Sequence, residues 1–302
     1  MSMRYGIIDV GSNTIRLIIF ELKGTEIKII LKEKELSVIL SFIQNGNLME
    51  EGLERLLKVL NRFAKICELL GCAEVFCFAT ASLRKVDNSV YVVSEMKKIV
   101  ENTEIITGEQ EAYYDYIGLS QVVKDRSGMG LDLGGGSVQI FKFKDRQVID
   151  SVSLPLGGLE MRNKFVSMVY PTLDEIKEIE DCVKASVKSS KIFKGNNHRV
   201  MYLMGGTARA AAKIHRYIYV TKKKSNKYYI PIKELNQITE RFSDPRKSDV
   251  DILERILPDR MNNIIPSLVV LNTICTMSGV DEVVVVKNGV RDGYIHDKIL
   301  PM

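Results

Sequence analysis

Residues 5–17 read YGIIDVGSNTIRL, and residues 128–140 read GMGLDLGGGSVQI. With Asp9 set beneath Asp132, the two stretches align without a gap. Ile8 falls under Leu131, Val10 under Leu133, Gly11 under Gly134 and Thr14 under Ser137. Each reads as an apolar strand, an Asp, a turn of small residues, a hydroxyl and a second strand. A repeated supersecondary unit implies two domains of related fold; the alternative is chance likeness between two glycine turns.

The flanking sequence extends both halves. Ile15–Leu22 and Glu26–Leu31 read as strands, with Gly24 in the turn between them. Leu53, Leu56, Leu60, Phe63 and Cys67 recur at helical spacing, and Gly71 is a stop signal. Glu74–Ala79 and Glu104–Ile106 read as strands, and Val90–Val100 and Glu109–Lys124 as helices. In the second half Met129–Leu133, Val138–Phe143, Val148–Leu154, Val200–Met204 and Val283–Val286 read as strands. Helices are expected over Leu173–Lys191, after Met204, in three stretches between Ile232 and Ser278, and over Val290–Leu300. Alternating strands and helices predict an α/β architecture. The expected division is residues 1–124 with 290–302, and residues 125–289.

At 302 residues the chain is long enough for two domains. Apolar residues at 45% and charged residues at 27% exclude a disordered or fibrous chain. No apolar run approaches the roughly 20 residues of a spanning helix. Asp9 interrupts any signal-peptide core, so no membrane association and a cytoplasmic location are expected. The five cysteines form no C-x-x-C pair, which argues against a zinc site or a disulfide framework. Any metal would therefore have oxygen ligands, as Mg²⁺ does. Net charge is +5, but its distribution is uneven. Cys182–Lys233 holds thirteen Lys and Arg and no Asp or Glu. Such a segment suits a polyanionic partner or is a solvated lysine-rich surface.

Three glycine-bearing turns, DVGSNT, DLGGGS and MGGTAR, stand at strand ends. Small residues let backbone N–H groups converge on an anion, and hydroxyls add donors. The third turn is expected to open a helix, whose N-terminus adds partial positive charge. Asp9 and Asp132 beside such cradles either hold Mg²⁺, partly through water, or brace their own turns. Arg16, Arg84 and Arg291 are either forked phosphate ligands or surface ion-pair partners. Glu109 and Glu111 stand where carboxylates complement a helix dipole; a general base there would have to reach a water near phosphorus.

These segments resemble the exopolyphosphatase/guanosine pentaphosphate phosphatase (Ppx/GppA) family, of the superfamily that includes actin and sugar kinases. IDVGSNTIRL is similar to its first phosphate loop, ATASLRKVDN to its T-x-A-x-R segment, and ITGEQEAYYDYIGL to its G-x-[EQ]-E-A helix start. DLGGGSVQ, SLPLG, LMGGTAR and NGVRDG follow in the family's order. The resemblance implies two ribonuclease-H-like domains with a cleft between them, and hydrolysis of a terminal phosphoanhydride in inorganic polyphosphate or guanosine pentaphosphate. It implies Glu111 as general base, Arg16 on the reacting phosphate, and Asp9 and Asp132 near Mg²⁺, with Asp132 also in the catalytic set. Ser12, Asn13, Thr14, Arg84, Gly134, Gly135, Gly136, Ser137, Gly206, Thr207 and Arg291 would bind substrate.

Two positions depart from the pattern: Gln139 stands where the family carries Glu, and Gln110 where many relatives do. A neutral Gln139 cannot be a charged metal ligand. The chain also stops soon after the Arg291 element, so an expectation is that it lacks extra C-terminal helical domains. Rival readings are an ATP-using kinase or ATPase on the same fold, and a non-catalytic binder of polyphosphate or alarmone. Nucleic acid is a weaker partner reading, resting on Tyr228 and Tyr229 beside the basic residues. A second copy of the chain, forming a homodimer, is admitted.

Overall fold

The computed structural model describes residues 2–219 and 228–300. Packing divides the chain into two units, 1–111 with 298–302, and 112–297.

The first unit opens with β1 (Met3–Val10), β2 (Thr14–Lys23) and β3 (Glu26–Leu36), an antiparallel meander. A two-stranded ribbon, β4 (Ile43–Gln44) and β5 (Asn47–Leu48), precedes helix α1 (Glu50–Leu69). Then come β6 (Glu74–Ala79), the single turn α2 (Ala81–Arg84), α3 (Ser89–Lys97) and β7 (Asn102–Ile105). The sheet order is β3-β2-β1-β6-β7, with β1, β6 and β7 parallel. The central strand is buried from Tyr5 to Val10, which explains its continuous apolar run. Leu53, Leu56, Leu60, Phe63 and Cys67 of α1 pack on Ile8, Val10 and Leu17. Truncating one of these, such as Leu60→Ala, costs about 2–5 kcal/mol.

Helix α4 (Gly108–Ser120) carries the chain into the second unit. There β8 (Ser127–Leu133), β9 (Val138–Lys144) and β10 (Gln147–Leu154) repeat the meander. After them come α5 (Gly158–Phe165), α6 (Leu173–Ser190), β11 (Val200–Met204) and α7 (Gly205–Tyr219). The remainder is β12 (Tyr228–Pro231), α8 (Ile232–Ser243), α9 (Lys247–Ile256), α10 (Ile264–Ser278), β13 (Glu282–Val285) and α11 (Val290–Lys298). The sheet order is β10-β9-β8-β11-β13-β12. Its first five strands repeat the first sheet in order and direction; β12 is added antiparallel to β13. The expected pair of duplicated ribonuclease-H-like units is thus observed. Helix α10 is apolar all round because it is buried among α5, α6, α7 and α8.

The division differs from the expected one in the helices. Residues 112–124 and 290–297 group with the second unit. Ala112, Tyr116, Leu119 and Val123 form one apolar cluster with Phe141, Phe143, Tyr202 and Val284 of the second sheet. Tyr114 meets Tyr294 edge-on at 5.3 Å, and Gly293 has no room for a Cβ against the Tyr114 backbone. Aromatic packing therefore assigns α4 and α11 to this sheet, a tertiary effect that periodicity does not reveal.

The basic segment is acid-free in sequence but not in space. Lys184 pairs with Glu180 at 2.8 Å, and Arg199 pairs with Asp281. Arg216 lies over the Tyr228 ring at 4.7 Å. Tyr228 is buried, its hydroxyl 2.7 Å from His215 Nδ1, so it is not available to stack on a base. Tyr229 is exposed. Lys222, Lys223, Lys224 and Lys227 lie outside the described residues. Among the described residues no helix is long and apolar enough to cross a membrane.

Candidate active site

In the first unit Asp9 is the penultimate residue of β1, directly across from Arg16 on β2. The intervening turn is closed by the Gly11 N–H donating to the Thr14 carbonyl at 3.1 Å. Its outer carbonyl, Asn13 O, accepts from the N–H groups of Ser37 and Val38, each at 3.1 Å. Val38 holds this bond in the left-handed region, φ 48 and ψ 47, an unfavourable conformation for a β-branched residue. Asp9 and Ser12 are buried.

The next strand end supplies a cation and a carboxylate. Helix α2 begins where β6 stops and ends on Arg84. One guanidinium nitrogen, Arg84 Nη1, donates to the Ile106 carbonyl at 2.9 Å and to Glu111 Oε2 at 3.1 Å. Both side chains are largely buried, so solvent screens this pair less than a surface bridge. Glu111 is in the first turn of α4, and its own N–H donates to the Thr107 carbonyl. Gln110 takes no part in the pair. Its side chain accepts from the Thr107 N–H at 2.8 Å while Thr107 Oγ1 accepts from the Gln110 N–H at 3.1 Å. That is a capping box, so the Gln at this departure position serves the helix start.

The second unit repeats the turn. Gly134 N–H donates to the Ser137 carbonyl at 3.0 Å, and Asp132 stands across from Gln139 as Asp9 does from Arg16. The bracing differs. Gly134 O and Gly135 O accept from the N–H groups of Gly158, Leu159 and Glu160 at 2.9–3.1 Å, so the N-terminus of α5 closes on the turn. Gly157 lies so close to Gly135 and Gly136 that a Cβ would overlap their backbone. Gln139 is buried, and its amide donates to Ser137 Oγ at 2.8 Å and Ser153 Oγ at 3.0 Å. It fixes the Ser137 hydroxyl rather than facing solvent as a ligand.

The third turn comes directly off β11. Gly205, at φ 79, is packed on the Asp132 carboxylate, where a Cβ would collide with Oδ1. The turn opens α7, as its sequence predicts, and Thr207 is buried in the first turn. Two groups that sequence reading missed converge here. The Arg260 guanidinium occupies the space beside Gly206, and Asp115 of α4, fully buried, approaches Gly289. A Cβ on Gly289 would stand 3.4 Å from Asp115 Oδ1 and 3.8 Å from Asp132 Oδ2. Arg291 is the second residue of α11, and Asp292 accepts from the Gly289 N–H at 3.0 Å. Arg260 in LPDRMN and Asp115 in AYYDY carry no local motif, so only tertiary structure identifies them.

Within the second unit, then, two glycines, Gly205 and Gly289, bring backbone close to the Asp132 carboxylate. Mg²⁺ is usually held by one or two carboxylates, retained waters and substrate phosphates. The Asp132 surroundings fit that mode. A closed protein cage is not built: among the described residues no group of three or more His, Cys, Asp and Glu could hold a metal.

The profile of the Ppx/GppA phosphatase family matches residues 18–301. A bifunctional 3-dehydroquinate synthase/phosphatase of Fusobacterium nucleatum is 27% identical over 93% of this chain, which spans only 44% of that protein's length. Exopolyphosphatase 1 of Mycobacterium tuberculosis is 23% identical, with 98% of this chain and 88% of that protein aligned. The solved structure of an exopolyphosphatase from Cytophaga hutchinsonii superposes with a TM-score of 0.85 at 19% identity, covering 97% of each chain; it bears on the fold alone. With the duplicated sheets, the three glycine turns and the Arg84–Glu111 pair already in place, the match over residues 18–301 means that this chain belongs to the Ppx/GppA phosphatase family.

Proposed function

We propose that this chain hydrolyses the terminal phosphoanhydride of inorganic polyphosphate by attack of water on phosphorus. The observation that carries the reading is the carboxylate of Glu111, held at 3.1 Å by Arg84 in the first turn of a helix. Glu111 is assigned as the base that takes the proton from the attacking water. Arg84 acts by positioning Glu111, since Nη1 is committed to Glu111 and to the Ile106 carbonyl. Arg16 is assigned to the reacting phosphate, whose oxygens suit a planar guanidinium. Ser12, Asn13, Thr14, Gly134, Gly135, Gly136, Ser137, Gly206 and Thr207 are assigned as donors to phosphate oxygens, with Arg260 and Arg291 as further cations. Asp132 and Asp9 are the assigned Mg²⁺ ligands; bound there, the ion would neutralise charge on phosphate oxygens. Positioning and charge neutralisation are the main contributions expected of a protein in this reaction.

Guanosine pentaphosphate is the second reading, because its 5′ terminus presents the same bond to the same turns. The test is phosphate release from short polyphosphate, long polyphosphate, guanosine pentaphosphate and ATP, each with Mg²⁺. The proposal expects polyphosphate to give the highest kcat/KM. Preference for guanosine pentaphosphate would move the assignment to the second reading. Preference for ATP, or no release from any substrate, would overturn both.

A further inference from the structure

Helix α1 ends in a Schellman motif. The Gly71 N–H donates to the Glu68 carbonyl and the Cys72 N–H donates to the Cys67 carbonyl, both at 3.0 Å. Gly71 has φ 65, the left-handed residue that such an end requires. In this motif the residue after the glycine packs on the residue five positions before it. Here those two residues are Cys72 and Cys67. Standard backbone lengths and the 3.0 Å bond limit the two Cα atoms to about 7 Å apart. A disulfide needs a Cα separation of roughly 4.4–6.8 Å.

The pair is set apart from the other thiols. Cys67, Cys77 and Cys275 are all fully buried, and burial pushes each to about 12; Cys67 differs in having Cys72 as its partner across the helix end. Cys67 is buried with its sulfur against Gly6 of β1, whereas Cys72 is partly exposed. Arg4 stands over the same helix end, donating to the Leu70 carbonyl at 2.9 Å. Burial raises the Cys72 thiol, and the Arg4 charge offsets part of that rise.

We propose that Cys67 and Cys72 form a redox-active dithiol that a low-molecular-weight disulfide converts to an intramolecular disulfide. The Cys72 thiolate attacks one sulfur of the reagent, the reagent's S–S bond breaks, and one thiolate leaves. Cys67 then attacks the Cys72 sulfur of the mixed disulfide. Its proton passes to the second departing thiolate. Two protein thiols are oxidised, and one external disulfide is reduced to two thiols.

The test uses the full chain, in a Cys182→Ser background that removes the other partly exposed thiol, treated with oxidised glutathione. The expected product has lost two hydrogens, carries no glutathione and yields a 67–72 cross-linked peptide. Its rate of formation should rise about tenfold per pH unit between pH 7 and 9, following the thiolate fraction. Cys67→Ser should trap glutathione on Cys72, and Cys72→Ser should leave Cys67 unmodified, which covers failure of either variant to fold. A stable glutathione adduct on Cys72 in the parent, or no modification at either residue, would overturn the proposal.

Discussion

The two Asp-led turns share a backbone and differ in everything that braces it. Both close with a Gly N–H to a hydroxyl residue's carbonyl, at 3.1 Å in the first and 3.0 Å in the second. Both place an Asp across from a polar residue of the next strand. In the first turn that residue is the cation Arg16, and the brace is a pair of N–H groups, one on the strained Val38. In the second it is the buried amide Gln139, and the brace is the N-terminus of α5. The duplicated scaffold thus carries a cation opposite the Asp in the first turn and a buried neutral amide opposite it in the second; under the proposed function the division of labour would give charge to the first turn and a braced cradle to the second.

The largest effect is expected from the charge. Arg16→Gln installs at the first turn the residue found in the second, and should lower kcat for phosphate release by about 10²–10³ while thermal stability changes little. Equal loss of activity and of melting temperature would contradict the division. Next comes the cradle. Gly157→Ala drives a Cβ into the Gly135–Gly136 backbone, so activity should fall about 10²-fold through displacement of the turn. Gly11→Ala meets Thr14 O at 3.1 Å and Asp9 Oδ1 at 4.0 Å and should be milder, which steady-state kinetics on both variants would compare.

Gln139→Leu leaves the Ser137 and Ser153 hydroxyls without their donor. It should cost about 1–3 kcal/mol in chemical denaturation, with a smaller kinetic effect than Arg16→Gln. Val38→Gly relieves the left-handed strain while keeping the N–H to Asn13, and should stabilise by up to about 1 kcal/mol. The smallest effect lies outside both turns. Hydrogen bonds from the Ser167 side chain, and from the Thr172 and Ser167 backbone N–H groups, hold Glu175 at about 2 in the α6 capping box. A depressed carboxylate stabilises above its ordinary pKa, and that contribution is lost as pH falls through about 2. Acid unfolding of Glu175→Gln should therefore show a shallower pH dependence than the parent between pH 4.5 and 2.

Much of the scaffold is legible in the sequence because apolar strands and glycine punctuation are local signals. The repeat, the hairpin at each Asp and the helix opened by Gly205 all follow from such signals. The allocation of α4 and α11 is not legible, since it depends on Tyr114, Tyr116 and Tyr294 finding aromatic and apolar partners far along the chain. Gln110 carries a local signal that the sequence analysis did not use: T-x-x-Q marks a capping box, and Thr107 and Gln110 form one. Strand β12 is obscured by the basic run before it, and Tyr228 is buried by packing with His215 and Arg216. Arg260 and Asp115 join the site through tertiary approach alone.

Glu111, held by Arg84, is the base proposed for phosphoanhydride hydrolysis. Single-turnover phosphate release from short polyphosphate, with wild type beside Glu111→Gln and binding titrated in parallel, tests it most directly. The expected result is a rate lowered by about 10²–10⁴ in the variant, with polyphosphate still bound. Release at the wild-type rate from Glu111→Gln would contradict it.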